Sequence, residues 1–153
     1  MRFEDTVMID RTPEEVWAFY TDWFNAPRIR GGDMLGLRQI SPGPMGVGST
    51  LQGRRVLLGF EMRIEFVNTE WDPPHVMASS ISGRALRSGS SRSTLEAVGD
   101  RTRFSGWLEL DLRPAWKVLL PIVGPILRRS RRTSYVSLKR LIESAPRKTK
   151  EHP

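Results

Sequence analysis

The sequence has no cysteine, only two histidines and no apolar stretch long enough to cross a bilayer. The absence of cysteine excludes a disulfide scaffold, a thiolate metal site and a cysteine nucleophile. The histidines, His75 and His152, are too few for a histidine-rich metal site, and we therefore predict no metal and no cofactor. The longest apolar run, 115–127, has thirteen residues and contains two prolines and a lysine. A membrane-spanning helix needs about 20 apolar residues.

An N-terminal export signal is also missing, because residues 1–10 carry three acidic side chains and no continuous apolar stretch. This pattern predicts a cytoplasmic protein. The 153 residues, of which 39% are hydrophobic and 27% charged, have the length and composition of one globular domain. Positive charge is concentrated at the C-terminal end. Residues 113–153 hold eleven basic and two acidic side chains, a net +9, whereas residues 1–112 hold thirteen basic and fifteen acidic ones, a net −2.

Alternation of apolar and polar residues with a period of two predicts seven strands. In 61–71, for example, Met62, Ile64 and Phe66 share one face, and charged residues lie between them. Short turns separate most of the segments, which favours an antiparallel sheet with one face on a core and the other in water. The predicted strands are 3–10, 35–40, 50–58, 61–71, 75–82, 86–98 and 101–112.

Two stretches have helical signals instead. Thr12 is placed to cap a helix, Pro13 suits the first helical position, and the two acids that follow complement the positive helix end. From 116 to 142, apolar residues recur about every 3.6 positions, which predicts a long amphipathic helix. Pro121 and Pro125 lack an N–H donor and clash with the preceding turn, so we expect a kink or a break there and a continuous helix over 126–144.

The order of these elements resembles the helix-grip fold of the START-related SRPBCC superfamily, which includes polyketide cyclase/dehydrase-like proteins. The resemblance is carried by VMIDRTPEEVWAFYTD (7–22), GPMGVGST (43–50), EWDPPHVMASSISG (70–83), GDRTRFSGWLEL (99–110) and LRRSRRTSYVSLKRLIESA (127–145). It implies a single α+β ligand-binding domain over 1–145, in which a curved antiparallel β-sheet wraps around a long C-terminal α-helix. A charged, disordered tail is expected over 146–153.

A curved sheet with one helix across its concave face leaves a gap, and the resemblance implies that a hydrophobic or amphipathic small molecule binds there. Tyr20 would offer its hydroxyl as a polar handle. Arg92, in a serine-rich strand, would anchor a carboxylate or enolate through its fork of donors. The predicted ligand-binding residues are Tyr20, Phe24, Met62, Ile64, Phe66, Arg92, Phe104, Leu108, Leu119, Val123 and Leu127.

Two other functions stay open at this point. In a cyclase/dehydrase-like enzyme the same cavity would fold a reactive chain, and Tyr20, His75, Arg92 or Glu109 would steer proton transfer. Alternatively, a basic cluster on the last helix would contact an anionic membrane surface or nucleic acid. No other feature of a nucleic-acid module is present, which disfavours nucleic acid, and the oligomeric state is not predicted. The basic cluster consists of Arg128, Arg129, Arg131 and Arg132.

Overall fold

The computed structural model describes residues 1–22, 34–57 and 59–145 and has seven strands and three helices in that part of the chain. Helix α1 (Pro13–Tyr20) follows the first strand, and a short helix α2 (Pro114–Lys117) and a long helix α3 (Leu120–Ser144) follow the last. The strands are β1 (Arg2–Ile9), β2 (Met34–Gln39), β3 (Thr50–Leu57), β4 (Phe60–Asp72), β5 (Val76–Gly83), β6 (Leu86–Val98) and β7 (Arg101–Leu112).

The strands form one antiparallel sheet in the order β1-β7-β6-β5-β4-β3-β2. The curved sheet and the long C-terminal helix make the predicted α+β helix-grip fold. All seven predicted strands are present, and their described ends lie within one residue of those expected. The alternation that predicted them is visible in β1, where Phe3 and Ile9 are buried while Arg2 and Glu4 are exposed.

Helix α1 begins at the predicted cap. The Thr12 hydroxyl accepts the backbone N–H of Glu15 at 3.4 Å, which satisfies one of the donors at the helix start. Val16 and Trp17 are buried, and the Trp17 ring meets Trp71 edge-on with 4.9 Å between centroids. Helix α1 therefore closes one end of the core that lies between the sheet and α3.

Helix α3 begins six residues before the expected 126, at Leu120. Pro121 lies in the first turn, where a backbone N–H has no partner within the helix, so proline is tolerated there. Pro125 lies inside the helix, which continues through it. The turn between them carries Val123, which is buried against the sheet, and this packing favours the helical conformation. A break at the prolines, one of the two predicted outcomes, is therefore wrong, as is the expected start at 126, and the interruption falls before Leu120.

Hydrogen bonds hold the C-terminal end of α3 against β1. The Arg11 guanidinium donates to the backbone carbonyls of Glu143 at 2.7 Å and Ala145 at 2.9 Å, which satisfies carbonyls that a helix end leaves open. Lys139 Nζ donates to the carbonyl of Met8 at 2.8 Å. These bonds set the position of the helix over the sheet at this end.

Candidate functional site

The strand register determines which side chains face α3. Leu51 of β3, Phe66 of β4 and Ile81 of β5 are direct cross-strand neighbours. On β7, Phe104 and Leu108 are four positions apart and so share one face of the sheet. Leu108 packs with residues of α3, so this apolar face is the one turned toward the helix.

An apolar chamber of about 110 Å³ lies under the first half of α3. Val123 and Leu127 line it from the helix, and Ile64, Phe66 and Leu108 line it from the sheet. The pairing of an apolar helix stripe with apolar strand positions gives this space a mostly apolar lining, in which Arg55, Arg63 and Arg84 are the charged residues. It suits a hydrocarbon surface rather than a strongly hydrated one.

A second, more polar chamber of about 110 Å³ adjoins the first. Phe66, Leu108 and Leu127 line both spaces, so the two chambers share walls. Residues that carry hydroxyl groups line the second chamber on three elements. They are Tyr20 of α1, Ser91 and Ser93 of β6, and Ser130, Ser134 and Tyr135 of α3.

A surface groove of about 640 Å³ adjoins the apolar chamber where β4 begins and β5 ends. Met62, Gly83 and Trp116 line both the groove and the chamber. Phe60 is exposed in the groove. Because the two spaces share these residues, the groove and the apolar chamber have a wall in common.

Most of the predicted ligand-binding residues lie around these chambers. Leu119 packs in the neighbouring cluster with Phe3, and Phe24 lies outside the described residues. Phe104 is buried in the wall of the polar chamber, with ring centroids 5.1 Å from Tyr20 and 5.4 Å from Tyr135. The residues placed on the two chambers are Tyr20, Met62, Ile64, Phe66, Phe104, Leu108, Val123 and Leu127.

Arg92 lies on the other face of the sheet. Its neighbours Ser91 and Ser93 face the gap, and strand alternation turns Arg92 outward. There its Nε and Nη2 donate to the two carboxylate oxygens of Glu70 at 3.3 and 3.2 Å. Arg92 is therefore placed to pair with a strand neighbour, and the predicted anchor for a ligand acid is not at this position.

The side chains considered for proton transfer do not meet in one place. Of the four, Tyr20 lines the polar chamber. His75 is exposed beside a turn, and Glu109 is exposed on the outer face, where it pairs with Arg2 at 3.6 Å. The geometry thus provides one hydroxyl at the cavity rather than an acid–base pair from this set.

Arg55 of β3 is a cavity residue that the sequence reasoning missed. It lines both chambers, and its Nη2 donates to the Ser130 hydroxyl of α3 at 3.3 Å. The signal was available in the strand pattern, because Arg55 is four residues after the buried Leu51 and so has the same parity. Arg55 thus brings a guanidinium to the junction of the apolar and polar spaces.

Arg131 is the second missed cavity residue. Its Nε donates to the Asp5 carboxylate at 2.5 Å, and its Nη2 donates to the Tyr135 hydroxyl at 3.1 Å. The Arg131 side chain is 16% exposed and that of Asp5 is 19% exposed. Gly106 of β7 leaves the room for this cluster, because an added Cβ would lie 2.5 Å from the Tyr135 oxygen.

The surface cluster predicted on the last helix is therefore smaller than four residues. Arg128, Arg129 and Arg132, here called the exposed arginines, face solvent, whereas Arg131 faces the polar chamber. In the described ranges, no helix combines the length and apolar character needed to span a membrane. Nor do His, Asp or Glu side chains within that part of the chain gather in a group of three that could hold a metal ion.

Comparison with known proteins identifies one family that matches nearly the whole chain. Residues 1–143 match the family model described as polyketide cyclase / dehydrase and lipid transport. The fold is similar to that of the Zhui aromatase/cyclase from Streptomyces sp. R1128, at 14% identity and a TM-score of 0.77, with 94% of this chain and 93% of that chain covered.

Two further solved structures have the same fold. One is a protein from Thermus thermophilus, at 16% identity and a TM-score of 0.75, with 93% and 97% of the two chains covered. The other is a START superfamily protein from Mycobacterium smegmatis, at 15% identity and a TM-score of 0.69, with 93% and 94% covered. No curated protein matches the chain. At these identities, the structural likeness shows the fold alone.

Proposed function

The chain belongs to the polyketide cyclase/dehydrase and lipid transport family, and from that premise we propose that it binds or carries a small hydrophobic or amphipathic molecule. Residues 1–145 would form the single ligand-binding domain. The observation that carries the proposal is the pair of adjoining chambers between the sheet and α3, one apolar and one bearing hydroxyl groups.

The size of the chambers limits the ligand. Each has a volume of about 110 Å³. A dry cavity of about 150 Å³ lined by aliphatic and aromatic side chains holds one benzene. Two adjoining chambers therefore suit a molecule with one or two rings, or a short chain of similar bulk, rather than a long diacyl lipid.

Apolar burial alone would hold such a ligand weakly. A ring system that loses about 200 Å² of apolar surface to the protein is stabilised by roughly 5 kcal/mol. Loss of translational and rotational freedom costs at least about 4 kcal/mol. Useful affinity therefore requires the polar chamber to contribute, which favours an amphipathic ligand over a pure hydrocarbon.

Binding without chemistry is the better supported role. An enzyme of the cyclase/dehydrase type would need proton donors and acceptors around one substrate atom, and the four candidate side chains are distributed over both faces of the sheet. Tyr20 alone among them lines the gap. We therefore place the enzymatic function second.

A titration with 2-naphthalenemethanol, a neutral two-ring probe, tests the proposed function. Leu108 lines both chambers, so Leu108→Trp should fill the shared space. Overpacking costs about 1–3 kcal/mol, so binding should weaken by about fivefold to about 140-fold. The matched control is Val136→Trp, at an exposed position of α3, the helix that covers the gap. Absence of binding by the wild type, or equal binding by Leu108→Trp, would overturn the proposal.

A membrane contact is a second candidate, and one observation favours it. Val118, just before α3, is 77% exposed, and Ile122, in the first turn of α3, is 54% exposed. Such exposure is unusual for large apolar side chains. The exposed arginines follow on the same helix, and the sequence has no acidic residue between 112 and 142. An anionic lipid surface would accept both the apolar side chains and the cations.

A further inference from the structure

The ligand's charge follows from the residues at the junction of the two chambers. We infer, resting on the proposed function, that the ligand is a small amphipathic carboxylate. Its acid group would bind Arg55 beside Ser130, and its apolar part would occupy the apolar chamber. The inference adds the chemical class of the ligand to the proposed function. It also assigns the anchoring role in the gap, which was predicted for Arg92, to Arg55.

Arg55 is positioned to contact both parts of such a molecule. It lines the apolar and the polar chamber, and it spans the gap from β3 to reach Ser130 on α3. A group bound to its Nη2 would therefore lie at the boundary between the two spaces. A ligand anchored there has Leu108 and Leu127 within the same walls, because both residues also line the two chambers.

The charges around the chambers favour an anion. Among the described residues that line them, the side chains charged at neutral pH are all arginines. Arg63 and Arg84 are exposed at the groove, Arg131 is paired with Asp5, and Arg55 is hydrogen-bonded to Ser130. A cationic ligand would meet like charge at this boundary, whereas a carboxylate would meet opposite charge in a partly desolvated setting.

The chemistry of the contact suits a carboxylate. A guanidinium presents planar N–H donors that match the two oxygens of a carboxylate. The Ser130 hydroxyl accepts a hydrogen bond from Arg55 Nη2 and can also donate one. When a ligand carboxylate replaces the hydroxyl at Nη2, the hydroxyl can rotate and donate to that carboxylate. Ser134 donates to the Ser130 carbonyl at 2.9 Å, which holds this turn of α3 together while the hydroxyl changes partner.

The test compares two probes that differ only in the acid. Calorimetric titrations at pH 7.5 use 2-naphthoate and its neutral analogue 2-naphthalenemethanol. The wild type should prefer the carboxylate by about tenfold or more, because hydrogen bonds to charged groups contribute more than those between neutral groups. Arg55→Gln should remove that preference, because the carboxylate loses a charged partner there and the alcohol does not.

The neighbouring residue provides a matched control. Arg54 lies on the same strand but faces outward, where it pairs with Glu61 at 2.5 Å. Arg54→Gln removes the same charge and should leave the preference intact. Arg55→Lys retains the charge but loses the planar fork, so it should keep part of the preference even if Arg55→Gln fails to fold.

The outcomes separate the inference from the proposed function. Equal affinity of the wild type for both probes overturns the inference and leaves the proposed function standing. Equal loss of the preference in Arg54→Gln and Arg55→Gln also overturns it, because the effect would then come from net charge. If neither probe binds the wild type, both the inference and the proposed function fail.

Discussion

Replacing Gly106 by alanine tests how closely the polar cluster packs on the sheet. The new Cβ would lie 2.5 Å from the Tyr135 hydroxyl oxygen, 3.1 Å from the Arg92 carbonyl oxygen and 3.3 Å from Arg131 Nη2. Tyr135 and Arg131 must move, and the backbone carbonyl between two paired strands cannot move with them. Gly106 lies within β7 and has no positive φ, so the backbone itself accepts alanine.

The cost follows from these contacts. Overpacking of this kind costs about 1–3 kcal/mol. We expect a loss of about 2 kcal/mol in the free energy of unfolding, or a fall in Tm of about 6 °C for a chain of this length. Urea and thermal unfolding followed by circular dichroism would measure both. The matched control is Gly46→Ala, where a Cβ has no heavy atom within 4 Å and the change should stay within about 0.5 kcal/mol.

A double-mutant cycle identifies the cause of the loss. Tyr135→Phe removes the oxygen that lies nearest to the new Cβ. In that background, Gly106→Ala should cost about 1 kcal/mol less than in the wild type, because the two sites then no longer compete for one space. Equal costs in both backgrounds, or full stability of Gly106→Ala, would show that the cluster does not fill the space above Gly106.

Two further predictions concern charge. The pKa of Glu143 lies below its ordinary value: burial, the largest single effect, raises it, but hydrogen bonds from Lys139 and the Asp10 backbone together with the Lys139 charge outweigh that effect. A lowered folded-state pKa stabilises the protein above the unfolded value and loses this effect as the pH falls through the folded one. Glu143→Gln should therefore cost about 1 kcal/mol at pH 7, and its difference from the wild type in urea unfolding should vanish toward pH 3; a difference that grows in acid contradicts the assignment. For the second prediction, changing the three exposed arginines to glutamate should abolish co-sedimentation with phosphatidylglycerol vesicles; undiminished co-sedimentation, or none by the wild type, rules out the membrane contact. The control makes the same charge change at three exposed strand positions and should keep binding. Those control positions are Arg87, Arg101 and Arg103.

The strands could be predicted from the sequence because their burial follows a local period. Turn signals bound most of the strands, and the predicted and observed ends agree within one residue. The start of α3 could not be predicted in the same way. Whether a proline interrupts a helix depends on its position relative to the helix start. The packing of Val123 on the sheet, which favours a helix from Leu120, is a tertiary contact that the local pattern does not contain.

The apolar part of the candidate site was visible in the sequence for the same reason. The polar part required knowing which parity faces inward in strands that carry polar residues on both faces. β6 has serine at 91 and 93 and arginine at 92, so composition alone favours neither face. In β3 and β1 the inward parity was readable. Arg55 lies on the same face of its strand as the buried Leu51, and Asp5 lies on the same face as the buried Phe3.

Methyl-labelled nuclear magnetic resonance spectra recorded during addition of 2-naphthalenemethanol test the central claim directly. If the gap between the sheet and α3 holds the ligand, the largest shifts should occur at Leu108, Val123 and Leu127, whose side chains line the apolar chamber. Shifts confined to the exposed Val118 and Ile122, or no shifts at all, would contradict the account.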